Sequence, residues 1–108
     1  SIQDVEEILD FYSKRQRDEE KRLSAYQLET LSLIWGAYVG ETLRRNHLAT
    51  YQWRENAQNT AVLVKEGGAE ISPIAKVFKR VQNGPEDSIK SFYDVMVAIH
   101  EGEIDLNK

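Results

Sequence analysis

Glu41 is the acidic residue whose surroundings could most readily support chemistry. It lies in the most apolar stretch of the chain, residues 31–43, one residue after Gly40 and three before Arg44. A carboxylate inside an apolar helix must be paired or neutralised if it is buried. We expect a salt bridge with Arg44 or Arg45. The alternative is a polar group that faces a ligand pocket beside the glycine.

The remaining residues do not form a known catalytic or metal-binding pattern. His47 and His100 are 53 positions apart and no cysteine accompanies them, whereas zinc sites draw on clustered ligands. There is no G-x-S-x-G elbow and no P-loop. The pairs of adjacent carboxylates lie at predicted helix starts or in charged runs, where solvation or the helix dipole explains them. We therefore predict no catalytic residue, no metal and no cofactor.

A basic surface is predicted on the short helix that follows Pro73. At 100° per residue its apolar side chains fall on one side and its basic side chains on the other, so we expect the basic side to face solvent. It is either a solvated face relieved by Glu86 or Asp87, or a docking patch for an acidic loop or a phosphate-bearing ligand. The basic side holds Lys76, Lys79, Arg80 and Asn83, and the apolar side holds Ile74, Val77, Phe78 and Val81.

Two other features could contact a partner. Trp53 lies in a strand-like pattern, where it either packs on a helix or stands exposed as an interface anchor. The end of the chain is acidic, which reflects either solvated charge or a surface that steers a basic partner. Its acidic residues are Glu86, Asp87, Asp94, Glu101, Glu103 and Asp105, of which Asp94 and Glu101 are the predicted contact residues.

Hydrophobic periodicity predicts two helices in the first part of the chain. Val5, Ile8, Leu9 and Tyr12 fit an amphipathic helix near residues 3–13. The charged run 13–22 fits either a solvated extension or linker, or a contact surface for a partner. Ser24 and Gln27 match a capping box, which predicts a long helix from about residue 25 to 46.

The long helix is expected to form the buried centre of the fold. Residues 31–43 are apolar on nearly every side, and a helix that is apolar all round is buried. Gly36 and Gly40 fall on one face, and glycine costs a helix interior about 1 kcal/mol relative to alanine. We expect another backbone to cross this face closely, most simply that of a sheet.

Three short β-rich runs follow, at residues 51–55, 60–65 and 69–72, separated by turns. They predict a small antiparallel three-stranded meander. Two helices come next, one opened by Ser72 and Pro73 and one opened by Pro85. The predicted fold is α+β in the order α-α-β-β-β-α-α, with the meander packed against the buried central helix and flanking helices.

Length and composition indicate one domain and exclude several classes of function. The 108 residues comprise a charged N-terminal helix (1–23), a core (24–101) and a polar tail (102–108). A net charge of −4 argues against nonspecific nucleic-acid binding. The apolar run 31–43 is too short to span a bilayer, and we expect no secretory signal. We expect a cytoplasmic protein, consistent with the absence of cysteine. The chain opens on Ser1, so a trimmed N-terminus is possible.

The sequence W-G-A-Y-V-G-E-T-L-R-R, from Trp35 to Arg45, resembles a small bacterial domain of unknown function. Members of that family carry a G-x-Y-x-G-E-x-x-R helix, then a strand with a tryptophan, here Trp53. A helix of the K-V-x-K-R-x-x-N-G type follows, here residues 76–84, and then an acidic helix with an F-Y pair, here 92–93. The resemblance covers about residues 28–96. It implies a single small bacterial protein with relatives that resemble toxin immunity proteins, and it implies no activity.

These observations favour a non-enzymatic bacterial protein-binding domain, most concretely an immunity protein that neutralises a toxin by direct binding. Acidic inhibitors gain association rate toward basic targets. One alternative is a small-molecule-binding or enzymatic domain with a polar site around Glu41. Another is a self-associating structural module.

Overall fold

The computed structural model describes residues 1–101, which form four α-helices and a two-stranded antiparallel sheet. The predicted polar tail, 102–108, lies outside the described residues. In chain order the elements are α1 (Ile2–Gln16), α2 (Ala25–His47), β1 (Gln52–Glu55), β2 (Ala61–Val64), α3 (Pro73–Asn83), a 3₁₀ turn (Pro85–Asp87) and α4 (Ile89–His100).

The predicted three-stranded meander is wrong. Strands β1 and β2 pair from Gln52 with Val64 to Glu55 with Ala61. The third run, 69–72, contributes only an isolated bridge in which Ile71 and Leu63 exchange two backbone hydrogen bonds of 2.8 and 2.9 Å. Pro73 lacks an N–H and begins a helix, so the chain leaves the sheet before a ladder can extend. The fold is α+β with a smaller sheet than predicted.

Helix α3, rather than α2, lies at the centre of the packing. It contacts α1, α2, α4 and β2, and its Val77 and Val81 are fully buried. Most of the main core comes from the sides of α1 and α2 that face it. That core consists of Ile2, Val5, Leu9, Leu28, Val39, Val77, Val81 and Ile89. Helix α3 therefore joins elements that lie far apart in the sequence.

The prediction that α2 is buried all round is wrong. Its packed face consists of Leu28, Ser32, Gly36, Val39, Gly40 and Leu43. Outside this face, Leu33 and Ile34 are 55% and 58% exposed. The capping box at Ser24 and Gln27 is confirmed, and the helix ends at His47. The apolar composition of 31–43 therefore reflects one packed face and one exposed apolar face.

The close approach of another backbone is confirmed at Gly36, where the backbone belongs to α3 and not to the sheet, whereas Gly40 meets side chains, among them Trp53 of β1. A Cβ on Gly36 would lie 2.5 Å from the Cα of Ile74. A Cβ on Gly40 would lie 2.4 Å from the Trp53 ring and 2.9 Å from Cγ of Pro73. The glycines thus allow the start of α3 and one tryptophan ring to pack directly on the α2 backbone.

The stop predicted at Asn83-Gly84 is confirmed, because α3 ends at Asn83 and Gly84 has a φ of +116°. Helix α4 begins later than predicted. Pro85 opens a separate 3₁₀ turn, and α4 starts at Ile89, where the Ser88 hydroxyl accepts a hydrogen bond from the Ser91 backbone N–H. Serine is a favoured N-cap residue, so the helix begins where its first N–H groups find an acceptor.

Candidate functional site

Glu41 lies at the centre of a polar cluster on α2, as the salt-bridge prediction requires. Its Oε1 lies 2.6 Å from Nε of Arg44, and its Oε2 lies 3.1 Å from Nε of Arg45. A second nitrogen of Arg44 donates to Oε2 at 3.1 Å, and the indole N–H of Trp53 donates to Oε1 at 3.2 Å. Both carboxylate oxygens are therefore engaged by partners within the chain.

The cluster holds Glu41 in its ionised form. Hydrogen bonds from Arg44 and then from Trp53 lower the pKa of the Glu41 carboxyl to about 2. A general acid at neutral pH needs a pKa near 7, and a carboxylate with a pKa near 2 is a weak base. The electrostatics of Glu41 therefore suit an ion pair within α2, which the Trp53 hydrogen bond links to β1, rather than acid–base catalysis.

Trp53 projects from β1 onto the glycine face of α2. Its ring is partly buried and contacts Gly40 and Pro73. Its indole N–H is already used by Glu41. Trp53 thus packs on a helix, one of the two placements expected, and its use as an interface anchor stays a prediction.

The prediction that the basic side of α3 faces solvent is wrong for Arg80. Arg80 is 3% exposed, with Nε 2.7 Å from Oε2 of Glu6 and one terminal nitrogen 2.8 Å from Oδ1 of Asp10. Glu6 and Asp10 are one turn apart on α1, which covers this side of α3. Because α3 turns the Arg80 side toward α1, Phe78, which was assigned to the apolar side, is 38% exposed.

The remaining cations of α3 do not form a patch. Lys76 pairs with Asp87 at 3.1 Å, and both side chains are about three-quarters buried. Asn83 donates to the other oxygen of Asp87 at 3.0 Å. Lys79 is exposed. Lys79 is therefore the one exposed cation on α3, and it does not by itself form the predicted basic docking patch.

Glu6 and Arg80 belong to a network that joins three helices. Glu6 also accepts hydrogen bonds from the Ser88 hydroxyl and from the backbone N–H of Lys90, at the start of α4. Burial acts to raise the pKa of Glu6, but the hydrogen bonds from Ser88, Arg80 and Lys90 outweigh it and lower that pKa. Within residues 1–101, one buried Arg80 nitrogen, Nη1, has no hydrogen-bond partner. The network is structural: it fixes α1 against α3 and α4.

The acidic end of the chain is divided into separate pairs. Asp94 is exposed and pairs with Lys90, while Glu101 lies 2.6 Å from Nδ1 of His47. Glu86 is exposed, whereas Asp87 is used by α3. Glu103 and Asp105 lie outside the described residues. The two acidic residues that were predicted to contact a partner therefore already have partners within the chain: Lys90 for Asp94 and His47 for Glu101.

The histidines are also used within the fold. His100 Nε2 lies 2.8 Å from the Tyr51 hydroxyl, and its Nδ1 lies 2.8 Å from the Met96 carbonyl. The carbonyl can only accept, so Nδ1 carries a proton and donates to it. In the part of the chain that the structure describes, no group of three or more histidine or acidic residues is placed to hold a metal ion.

The most distinctive surface is the exposed side of α2, which the sequence reasoning missed. At 100° per residue its members, all between residues 26 and 38, fall within about 140° of arc, and none carries a charge. Glu41 and Arg45 continue the same arc toward the end of the helix. Tyr26 is 77% exposed, Leu33 55%, Ile34 58% and Tyr38 45%. We call this surface the outer face of α2; it consists of Tyr26, Thr30, Leu33, Ile34, Ala37 and Tyr38, all exposed.

A groove of about 330 Å³ borders the outer face, between α1 and the first half of α2. It is mainly apolar and aromatic, with Arg15 at its α1 side. Nε of Arg15 donates to the Lys21 carbonyl at 3.2 Å, and its guanidinium lies 5.9 Å from the centre of the Tyr12 ring. The groove is lined by Tyr12, Arg15, Leu23, Tyr26, Gln27, Thr30, Leu31 and Ile34.

A sequence signal for the outer face was present but ambiguous. Ser32, Gly36 and Gly40 mark a single close-packing side of α2, and the apolar residues on the opposite side cannot pack against the same element. Scattered surface apolar residues are normal, but a contiguous apolar patch usually marks an interaction site. The outer face is such a patch.

Comparison with protein-family models, with curated proteins and with solved structures gives no match for this chain. The resemblance to a bacterial domain with immunity-protein relatives stays a prediction. Among residues 1–101, no helix is both long enough and apolar enough to cross a membrane.

Proposed function

We propose that this chain is a non-enzymatic protein-binding domain that docks its partner on the outer face of α2. The observation that carries the proposal is the exposure of Tyr26, Leu33, Ile34 and Tyr38 on one helix face, which carries no charge between residues 26 and 38. Tyrosine and large aliphatic side chains supply much of the contact energy when an interface excludes water. The adjoining groove offers a concave site where a partner side chain can be buried.

The most concrete form of this function is toxin neutralisation by a bacterial immunity protein that works in the cytoplasm. Two features support it: the small size of the chain and its net charge of −4. An acidic inhibitor is attracted to a basic toxin over distances beyond contact, which raises the association rate. The same charge disfavours a nucleic-acid partner.

The alternative of an enzymatic or small-molecule site around Glu41 gains no support from the geometry. Both oxygens of Glu41 are bonded to Arg44, Arg45 and Trp53, and the groove lies instead between α1 and α2. We therefore carry forward the protein-binding function alone.

Co-expression with the product of the neighbouring reading frame tests this proposal. The wild-type chain should restore growth when that product is toxic. Leu33→Glu places a charge on the outer face and should abolish both rescue and binding. Val95→Glu is the matched control, because Val95 is an aliphatic residue of comparable exposure, 44%, on a different helix, α4. Rescue by Leu33→Glu as efficient as that by Val95→Glu would contradict the docking site.

A further inference from the structure

The outer face of α2 has the composition of a self-pairing helix surface. Its large residues are Tyr26, Leu33, Ile34 and Tyr38, and small Thr30 and Ala37 lie among them. A surface without charge does not repel a copy of itself, although the whole chain carries −4. Two-fold pairing uses the same patch on both molecules, so a patch must be complementary to itself.

We propose that a second copy of this chain covers the outer face, with the two α2 helices antiparallel about a two-fold axis near residues 35 and 36. This inference rests on the proposed function, since it names an occupant for the same docking surface. The free protein is then a dimer, and any other protein partner must displace the second copy. Self-association thereby regulates access to the face.

The antiparallel register pairs residues whose positions add up to 71. Ile34 then lies opposite the partner's Ala37, a large side chain beside a small one. Near each end, Tyr26 lies opposite the partner's Arg45. The Arg45 side chain is 72% exposed and shares the single carboxylate of Glu41 with Arg44, so this end of α2 has one positive charge in excess. A guanidinium over an exposed tyrosine ring is a favourable cation–π contact.

The same arrangement accounts for the groove. When two identical helices pair antiparallel, each flank of one helix lies beside the same flank of the other. Tyr38 and Leu31 lie on the same flank of α2, so Tyr38 of one copy lies on the Leu31 side of the other. The partner's Tyr38 falls at the height of residue 33, next to Leu31 and Ile34, which line the groove. The exposed Tyr38 ring of each copy can therefore enter the groove of the other.

The available area is sufficient for a weak dimer. At roughly 150–200 Å² for a fully exposed large side chain, the exposed fractions of Tyr26, Leu33, Ile34 and Tyr38 give on the order of 400 Å² per copy. Both copies together then bury about 800 Å² of apolar surface before a polar rim is added. Stable interfaces start near 1,200 Å² in total, so we expect weak pairing that depends on concentration rather than a permanent dimer.

Sedimentation velocity over a range from about 1 to about 500 μM protein tests the pairing. The wild-type chain should shift from monomer to dimer across this range. Leu33→Glu, which puts two like charges into the interface, should raise the dissociation constant at least tenfold, whereas Val95→Glu should leave it unchanged. Circular dichroism establishes that both variants keep their helices. A wild-type chain that stays monomeric at the highest concentration overturns the proposal.

Orientation has its own test, which uses the absence of cysteine from the chain. Asn46→Cys, at the exposed end of α2, carries one spin label per copy. Antiparallel pairing separates the two labels by 21 residues along the helix axes, about 30 Å at 1.5 Å per residue. Parallel pairing leaves them within about 20 Å, because paired helices are only 8–10 Å apart. The short distance would overturn the antiparallel arrangement.

Failure of the dimer is distinguishable from failure of the proposed function. A monomeric wild type whose rescue of growth is lost in Leu33→Glu leaves the docking face in place and assigns it to the heterologous protein alone. A dimer that Leu33→Glu does not weaken overturns this inference, because the contact then lies elsewhere. A neighbouring toxin that Leu33→Glu still neutralises overturns the proposed function, whatever the oligomeric state.

Discussion

The guanidinium of Arg80 and the carboxylate of Glu6 lie 2.7 Å apart, although 74 positions separate them in the chain. Arg80 is almost fully buried, and Glu6 also accepts hydrogen bonds from the Ser88 hydroxyl and the Lys90 backbone N–H. The pair therefore holds α1 against α3 and α4 at one point.

Replacement of Arg80 should destabilise the fold strongly. Arg80→Leu leaves Glu6 without its cationic partner, and breaking a buried ion pair costs about 3–5 kcal/mol. We expect a loss near the lower end, about 3 kcal/mol in the free energy of unfolding, since Glu6 retains two hydrogen-bond donors. Chemical denaturation measures it. Lys79→Leu, on the exposed side of α3, should change stability by less than about 0.5 kcal/mol. Equal effects of the two variants would contradict the burial of Arg80.

Stability should fall in acid, with a window set by Glu6 and Asp10. Burial acts to raise the pKa of Glu6, but hydrogen bonds from Ser88 and Arg80 outweigh it and lower that pKa. The hydrogen bond from Arg80 also lowers the pKa of Asp10. The unfolded chain takes up protons near the ordinary values of 4.5 and 3.8, before the folded chain does. Stability is thus complete above these values and is lost as the pH falls through the lower folded ones. Urea denaturation between about pH 5 and pH 3 should show a smaller loss in Arg80→Leu than in the wild type. An identical pH dependence would count against the network.

The two helix glycines should not tolerate alanine, although alanine favours helices by about 1 kcal/mol. Gly36→Ala brings a Cβ to 2.5 Å from the Ile74 Cα, so the backbones must separate. Overpacking of this kind costs about 1–3 kcal/mol, and we expect a net loss in the free energy of unfolding. Gly68→Ala is the control, because its Cβ would meet only the flexible Lys65 side chain. A stabilised Gly36→Ala variant would mean that α2 and α3 are farther apart.

The two faces of α2 should respond differently to substitution. Leu43 is fully buried, and Leu43→Ala should cost about 2–5 kcal/mol. Leu33→Ala, on the outer face, should cost less than about 1 kcal/mol when it is measured at a protein concentration that keeps the chain monomeric. Thermal and chemical denaturation compare the two variants. Similar losses would show that the outer face is covered within a single chain.

Local features of the sequence predicted much of the fold. The capping box at Ser24, the stop at Gly84 and the ion pair of Glu41 each depend on residues within a few positions, and each is present. The packing partners of each helix were not predictable in this way. Periodicity identifies the apolar side of a helix but does not say which element covers it. The burial of Arg80 depends on where α1 lies, and the exposure of the outer face depends on which elements pack against α2; sequence spacing alone encodes neither.

The central position of α3 constrains the order in which the chain can acquire its structure during synthesis. Helix α1 is made before the other described helices, but Arg80, with which Glu6 and Asp10 pair, is made some 70 residues later. Isolated helices of about 15 residues are marginal in water, so α1 has no stable partner until α3 has left the ribosome. Of the four helices described, α1 is therefore translated before the others but is among the last to become fixed. Premature termination before residue 83 would release α1 and α2 without the helix that joins them.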